Sequence, residues 1–178
     1  MNPNGHTHEA LAKRILKVNH AGENGAVNIY AGQIFFARLT APEKIHELRE
    51  FKAHEECHRQ IFEDELVHRN APRYRSYFLC GFGGYVLGLF TGLLGAGAIA
   101  ATTVAVEQVV LRHLKQQLQE LQGKDEAAVI AIRAIVTEEQ EHHDRAVAQV
   151  QKNRMWSKLL TPLVAVSTEL VIWTGMRL

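Results

Sequence analysis

Apolar residues recur along this chain at the three- and four-residue spacing of a helix face, in long runs separated by turn residues. The pattern predicts an all-α chain. A first helix, expected from an N-cap at Thr7 to Leu39, carries the stripe Leu16, His20, Glu23, Val27, Tyr30, Ile34. Thr40-Ala-Pro-Glu43 is a turn with Pro42 at the first position of a second helix, which is striped Leu48, Phe51, Glu55, His58, Phe62, Leu66 and stopped by Asn70-Ala-Pro72. Tyr77 to Val106 contains no charged residue. Gly95-Ala-Gly97 breaks that run into a short third helix and the start of a fourth, striped Ala100, Thr103, Glu107, Val110, Leu114, Leu118, Leu121. Gly123-Lys-Asp125 precedes a fifth helix with the face Ala128, Ile132, Ile135, Glu139, His142, Ala146, Val150. A last apolar helix covers Trp156 to Trp173, with Pro162 expected in its first turn.

Four of these faces are interrupted by ionisable groups where burial is expected. Glu23 and Glu107 each stand alone, whereas Glu55/His58 and Glu139/His142 are Glu-x-x-His pairs, neighbours on one helix surface. Buried carboxylates and imidazoles cost several kcal/mol unless compensated, in the range of about 3–5 for a charge left without its partner. Glu55 follows Glu23 by 32 residues (55 − 23), and Glu139 follows Glu107 by the same interval (139 − 107). One offset of 84 (107 − 23) maps the first set, His58 included, onto the second. The helices therefore form two pairs, each giving a lone Glu and a Glu-x-x-His, which is the ligand pattern of ferritin-like di-metal carboxylate bundles. Four carboxylates and two neutral imidazoles balance two divalent cations and leave coordination positions open. Glu43/His46 and Glu65/His68 share the spacing but have Ala127 and Gln149 at the common offset. The competing reading is a satisfied polar core.

Composition narrows the classes. The 178 residues fit a single domain, 1–178, and a net charge of +1 leaves no basic footprint for nucleic acid. Two cysteines without a CxxC argue against a disulfide framework and fit a reducing compartment. The start of the chain has no basic, apolar leader pattern. Gly84, Gly88 and Gly92 share one face at the spacing that lets helices pack closely in lipid, and Gly22, Gly25 and Gly32 are expected to admit a neighbouring helix or a cofactor. The segments 77–106 and 156–176 are expected to dock on a membrane, with Arg73, Arg75, Lys158 and Arg177 near phosphates. Around the six residues, His20 and Tyr30 share the face of Glu23, and His143 and Asp144 either orient the metal ligands or line a solvated flank. Cys57 reads as a small apolar filler.

Asn19-His-Ala-Gly-Glu-Asn-Gly-Ala26, Tyr30-Ala-Gly-Gln33, Thr103-Val-Ala-Val-Glu107 and Glu138-Glu-Gln-Glu-His-His-Asp144 closely resemble the demethoxyubiquinone hydroxylase family, from about Arg14 to the C-terminal Met-Arg-Leu. The resemblance implies a ferritin-like four-helix bundle with a di-iron centre plus apolar membrane-associating helices. It implies an O2-dependent monooxygenase that hydroxylates the ring of a polyprenyl methoxy-benzoquinol in ubiquinone biosynthesis. The family's iron ligands fall on Glu23, Glu55, His58, Glu107, Glu139 and His142, with Glu107 and Glu139 where a carboxylate can bridge or shift. Two iron ions per chain, dioxygen and an external electron donor, NADH or the quinol, are the implied cofactors. A prenylated substrate implies a lipid surface, and the apolar surface of the outer segments suits a homodimer or a lipid-presenting protein partner. The implied location is peripheral, on the cytoplasmic face of the cell membrane or the matrix face of a mitochondrial inner membrane. His54-Glu-Glu-Cys-His58 departs from the family in having Cys57 between the ligands. A ferritin-like ferroxidase would use the same six residues, but has no need of a thirty-residue uncharged run.

Overall fold

The computed structural model describes residues 3–150 and 154–177, and among these it contains helices and no strands. They are α1 (Pro3–Thr40), α2 (Ile45–His68), α3 (Tyr77–Leu93), α4 (Ala96–Leu121), α5 (Glu126–Val150) and α6 (Arg154–Arg177), with a 3-10 turn, Pro42–Lys44, between α1 and α2. The helix count and the break at Gly95 follow the sequence pattern, and Gly95 has φ +88, a conformation L side chains rarely adopt. Three boundaries differ from the sequence reading. α1 begins at Pro3, whose fixed φ suits a first turn, so Thr7 lies inside the helix and does not cap it. Pro42 opens the 3-10 turn, one step ahead of α2. Because α6 starts at Arg154, Pro162 falls in its interior.

The core is two antiparallel hairpins, α1–α2 and α4–α5, each densely packed within itself and joined more sparsely across the seam. One end of the bundle is filled by Ile15, Leu16, Phe62, Leu66, Leu114, Ile132 and their neighbours. The other end holds Tyr30, Leu48, Phe51 and Ile99. Polar links cross the seam: Asn19 and Gln117 exchange amide hydrogen bonds of 2.8 and 3.0 Å, and Arg145 grips Glu50 at 2.8 and 3.1 Å. Arg69 grips Asp125 in the same forked way, at 2.6 and 2.8 Å. These bonds fix how the hairpins face each other where apolar packing is thin.

α3 and α6 lie outside the four-helix core, α3 against α1 and α6 against α4. The glycine stripe explains the first contact. A Cβ on Gly84, Gly88 or Gly92 would run into the backbone of Gly25, Ile29 or Gln33, and one on Gly32 would meet the backbone of Tyr85 and Leu89. Gly25 faces Cys80 at ordinary contact distance, whereas nothing approaches Gly22, so the close-approach expectation holds for two of the three α1 glycines. The outward faces of α3 and α6 stay apolar and exposed: Phe78, Phe82 and Phe90 on one, Leu159, Leu163 and Leu170 on the other. Among the described residues, α6 is the one helix long and apolar enough to cross a membrane, and the 17-residue α3 is shorter. Trp156 packs against Ala98, Ala101 and Leu160, while Trp173 is exposed beneath the Arg177 guanidinium.

Candidate metal centre

All six residues singled out from the stripes are buried, between the two apolar ends of the bundle. Each is the position where its helix's apolar face crosses the seam, so helix phase alone delivers it to the middle. Their donor atoms form two groups, each within 4.8 Å: Glu23, Glu55, His58, Glu139, and Glu55, Glu107, Glu139, His142. Glu55 and Glu139 are common to both. The family resemblance puts Glu107 and Glu139 where a carboxylate can bridge or shift, and in the structure Glu139 belongs to both groups and Glu107 to one. The reason is topological: α2 and α5 carry the Glu-x-x-His pairs on facing surfaces, so their carboxylates meet midway while α1 and α4 supply the two ends.

Both histidines turn Nδ1 inward. His58 Nδ1 lies 2.9 Å from Glu139 and 3.5 Å from Glu55, and His142 Nδ1 lies 3.2 Å from Glu55. Close as these pairs are, neither Nδ1, neither Glu55 oxygen and neither Glu139 oxygen has a hydrogen bond of proper geometry. Buried polar atoms are normally satisfied, so six orphans aimed at one space fit a cation-binding site better than a self-sufficient polar core. Carboxylate oxygens and imidazole nitrogens are the donor set iron takes in such sites.

Electrostatics point the same way. Burial, reinforced by Glu139 and Glu55, raises Glu23 and Glu107 well above the usual carboxylate range. For Glu55, burial acts upward but contact with His142 and His58 prevails and holds it near 2. Burial would lower His58, yet Glu139 and Glu55 push it up to about 12. Without a cation, the His58 proton supplies the positive charge this cluster needs.

The expectations for the surroundings divide. Tyr30 donates its hydroxyl to Glu107 Oε1 at 3.1 Å, and burial raises its phenol well above the usual range. His20 is buried elsewhere, stacked on Tyr77 with neither ring nitrogen bonded, and burial lowers it to about 4. His143 bonds to its neighbour Asp144 on an exposed flank, and Cys57 is exposed instead of filling a gap. The residues that do hold the histidines were missed: Glu138 Oε2 accepts from His58 Nε2 at 2.8 Å, and His54 Nδ1 meets His142 Nε2 at 3.0 Å. The exposed His46 and His68, with their Glu partners, take no part.

Comparison with known sequences agrees with this geometry. The profile of the ubiquinone biosynthesis protein COQ7 family matches residues 10–175. The chain belongs to that family. It is 35% identical over 170 residues to the 3-demethoxyubiquinol 3-hydroxylase of Rhodospirillum rubrum, covering 94% of this chain and 79% of that protein. It is 32% identical over 143 residues to the mitochondrial NADPH-dependent 3-demethoxyubiquinone 3-hydroxylase of Caenorhabditis elegans, covering 78% and 75%. Against the protein of that name in Dictyostelium discoideum it is 32% identical over 180 residues, 94% and 77%. The COQ7 match covers most of α1, all of α2 to α5 and most of α6, so the outer apolar helices belong to the family's common extent.

Proposed function

We propose that this chain is a 3-demethoxyubiquinol 3-hydroxylase that works on a membrane surface with two iron ions held by Glu23, Glu55, His58, Glu107, Glu139 and His142. The observation that carries the reading is the set of orphaned donors converging between two hairpins in a member of the COQ7 family. Glu55 and Glu139, common to both donor groups, would serve both ions, Glu23 and His58 would complete one subsite, and Glu107 and His142 would complete the other. Iron bound there supplies dioxygen activation, one oxygen atom entering the ring C–H bond and the other leaving as water with two electrons and two protons from an external donor, NADH or the quinol itself.

The remaining work falls to the protein. A narrow slot of about 10 Å³, the space of one water, lies between α1 and α4 and is lined by Ala26, Ile29, Thr102, Thr103 and Val106, with Tyr30 and Glu107 at its floor. Ile29 and Val106 share one apolar cluster with Leu87 of α3 and Val164 of α6, so both outer helices pack against the walls of the slot. A prenylated quinol partitions into lipid, and its ring would approach the Glu107 end of the cluster along this seam once α1 and α4 part to widen a slot that now has room for one water. Tyr30 keeps the Glu107 carboxylate oriented, and the apolar walls exclude bulk water.

The exposed faces of α3 and α6 rest on one leaflet, cytoplasmic or matrix, with the exposed Arg75, Lys158 and Arg177 at phosphate level. The wild-type protein is expected to float with anionic liposomes at both low and high salt, and Phe82→Asp with Leu163→Asp to leave most of it in solution. A chain that stays lipid-free but dimeric would give those faces to a second copy. The activity itself is tested by the quinone profile, by mass, of a cell that lacks its own ring hydroxylase and expresses this chain. Precursor should disappear and ubiquinone appear. Unchanged precursor alongside a purified protein with two irons per chain would move the reading to iron handling.

A further inference from the structure

The 84-residue relation between the ligands extends to their supports. His54 immediately precedes Glu55, Glu138 immediately precedes Glu139, and 54 plus the offset is 138. Each reaches across the seam to the outer nitrogen of the histidine on the opposite hairpin. The geometry is therefore nearly two-fold, but its chemistry is not: one related position carries a carboxylate and the other an imidazole ring.

We infer that Glu138 and His54 are positioning residues that make the two metal subsites unequal, the subsite of Glu23 and His58 binding its cation more tightly than that of Glu107 and His142. The inference rests on the metal-centre reading above. An imidazole whose outer N–H donates to a carboxylate gains electron density at the other nitrogen and is a stronger ligand. Glu138 also brings a negative charge near the cation, weakened because its side chain is 45% exposed. His54 supplies an acceptor without charge. It stacks on His142, ring centroids 5.2 Å apart and planes 7° apart, which fixes the ring's orientation without strengthening its donor atom. The geometry accounts for both tautomers: with Nδ1 facing the cation, each ligand histidine carries its proton on Nε2, where its support accepts it.

Stepwise cobalt(II) titration of the metal-free chain, followed by visible absorption, tests this without turnover. The wild type is expected to take two equivalents in separable steps. Glu138→Gln weakens the tighter step about 10- to 100-fold and leaves the other within about threefold. His54→Glu tightens the weaker step and draws the two together. Matching far-ultraviolet circular dichroism of the metal-free proteins keeps unfolding out of the comparison. Two equal wild-type steps, or variants that shift both steps alike as a merely structural role would, overturn the inequality while leaving the metal centre standing. A wild type that binds no cobalt removes both.

Discussion

Glu107→Gln is expected to make the metal-free protein more stable and the enzyme inactive. The two effects have one cause. Four carboxylates and two imidazoles share a buried space, and burial with mutual repulsion already drives Glu107 and Glu23 toward their neutral forms. A folded-state value raised above the unfolded one means that the folded chain holds the extra proton. That contribution is complete at low pH and is lost as pH rises above the ordinary carboxylate value near 4.5. His58, raised from 6.5 to about 12, likewise contributes stability that is complete below 6.5 and lost as pH climbs toward 12. Glu55, depressed from 4.5 to about 2, works oppositely, and its contribution disappears as pH falls through that interval. Metal-free protein should therefore melt highest near pH 4.5 and lose stability from there upward, more steeply above about 6.5 where the His58 contribution is lost as well. Gln at 107 keeps an acceptor for the Tyr30 hydroxyl and removes one charge, for a gain of about 1–3 kcal/mol, or about 2–10 °C in a chain this size, widening as pH rises. Turnover should fall more than about 100-fold, because one subsite loses its anionic ligand. Glu139→Ala should abolish turnover, since it strips a donor common to both groups. Thermal melts with and without metal across this pH range decide the matter. If Glu107→Gln lowered the melting point of the metal-free form, the six residues would be a satisfied polar core after all.

The six candidate residues were legible because a buried helix face is a strong local pattern and a Glu within it is conspicuous. Their convergence was legible too, through the common offset. What the sequence hid is anything that depends on which face of one helix opposes another. Glu138 and His54 sit on the flanks of their stripes, where a polar residue reads as solvated, and only the approach of α2 to α5 across the seam makes them partners of the histidines. His143 and Asp144, better placed by motif, bond to each other because their positions on α5 turn outward. The shared role of Glu55 was hidden for the same reason: spacing shows the two Glu-x-x-His pairs to be equivalent, but only their opposition in space makes both carboxylates central.

The outer helices were legible as apolar and glycine-rich, and one further step follows from where those glycines fell. Gly88→Ala is expected to cost about 3 kcal/mol or more, because its Cβ would collide with the Ile29 carbonyl and α1 has no flexible side chain there to yield. Gly83→Ala, five residues back on the same helix, points its Cβ into open space and should gain about 0.5–1 kcal/mol from helix propensity. The same chemical change thus has opposite signs on two faces of α3. The consequence reaches function through Ile29, which lines the slot to Glu107: pushing α3 off α1 moves a wall of the quinol's route as well as half of the lipid-facing surface. Melts in mild detergent, with liposome flotation of each variant, separate the cases. Equal melting points would mean that α3 rides on α1 with slack, and the glycine stripe would then have to be explained by lipid contact alone.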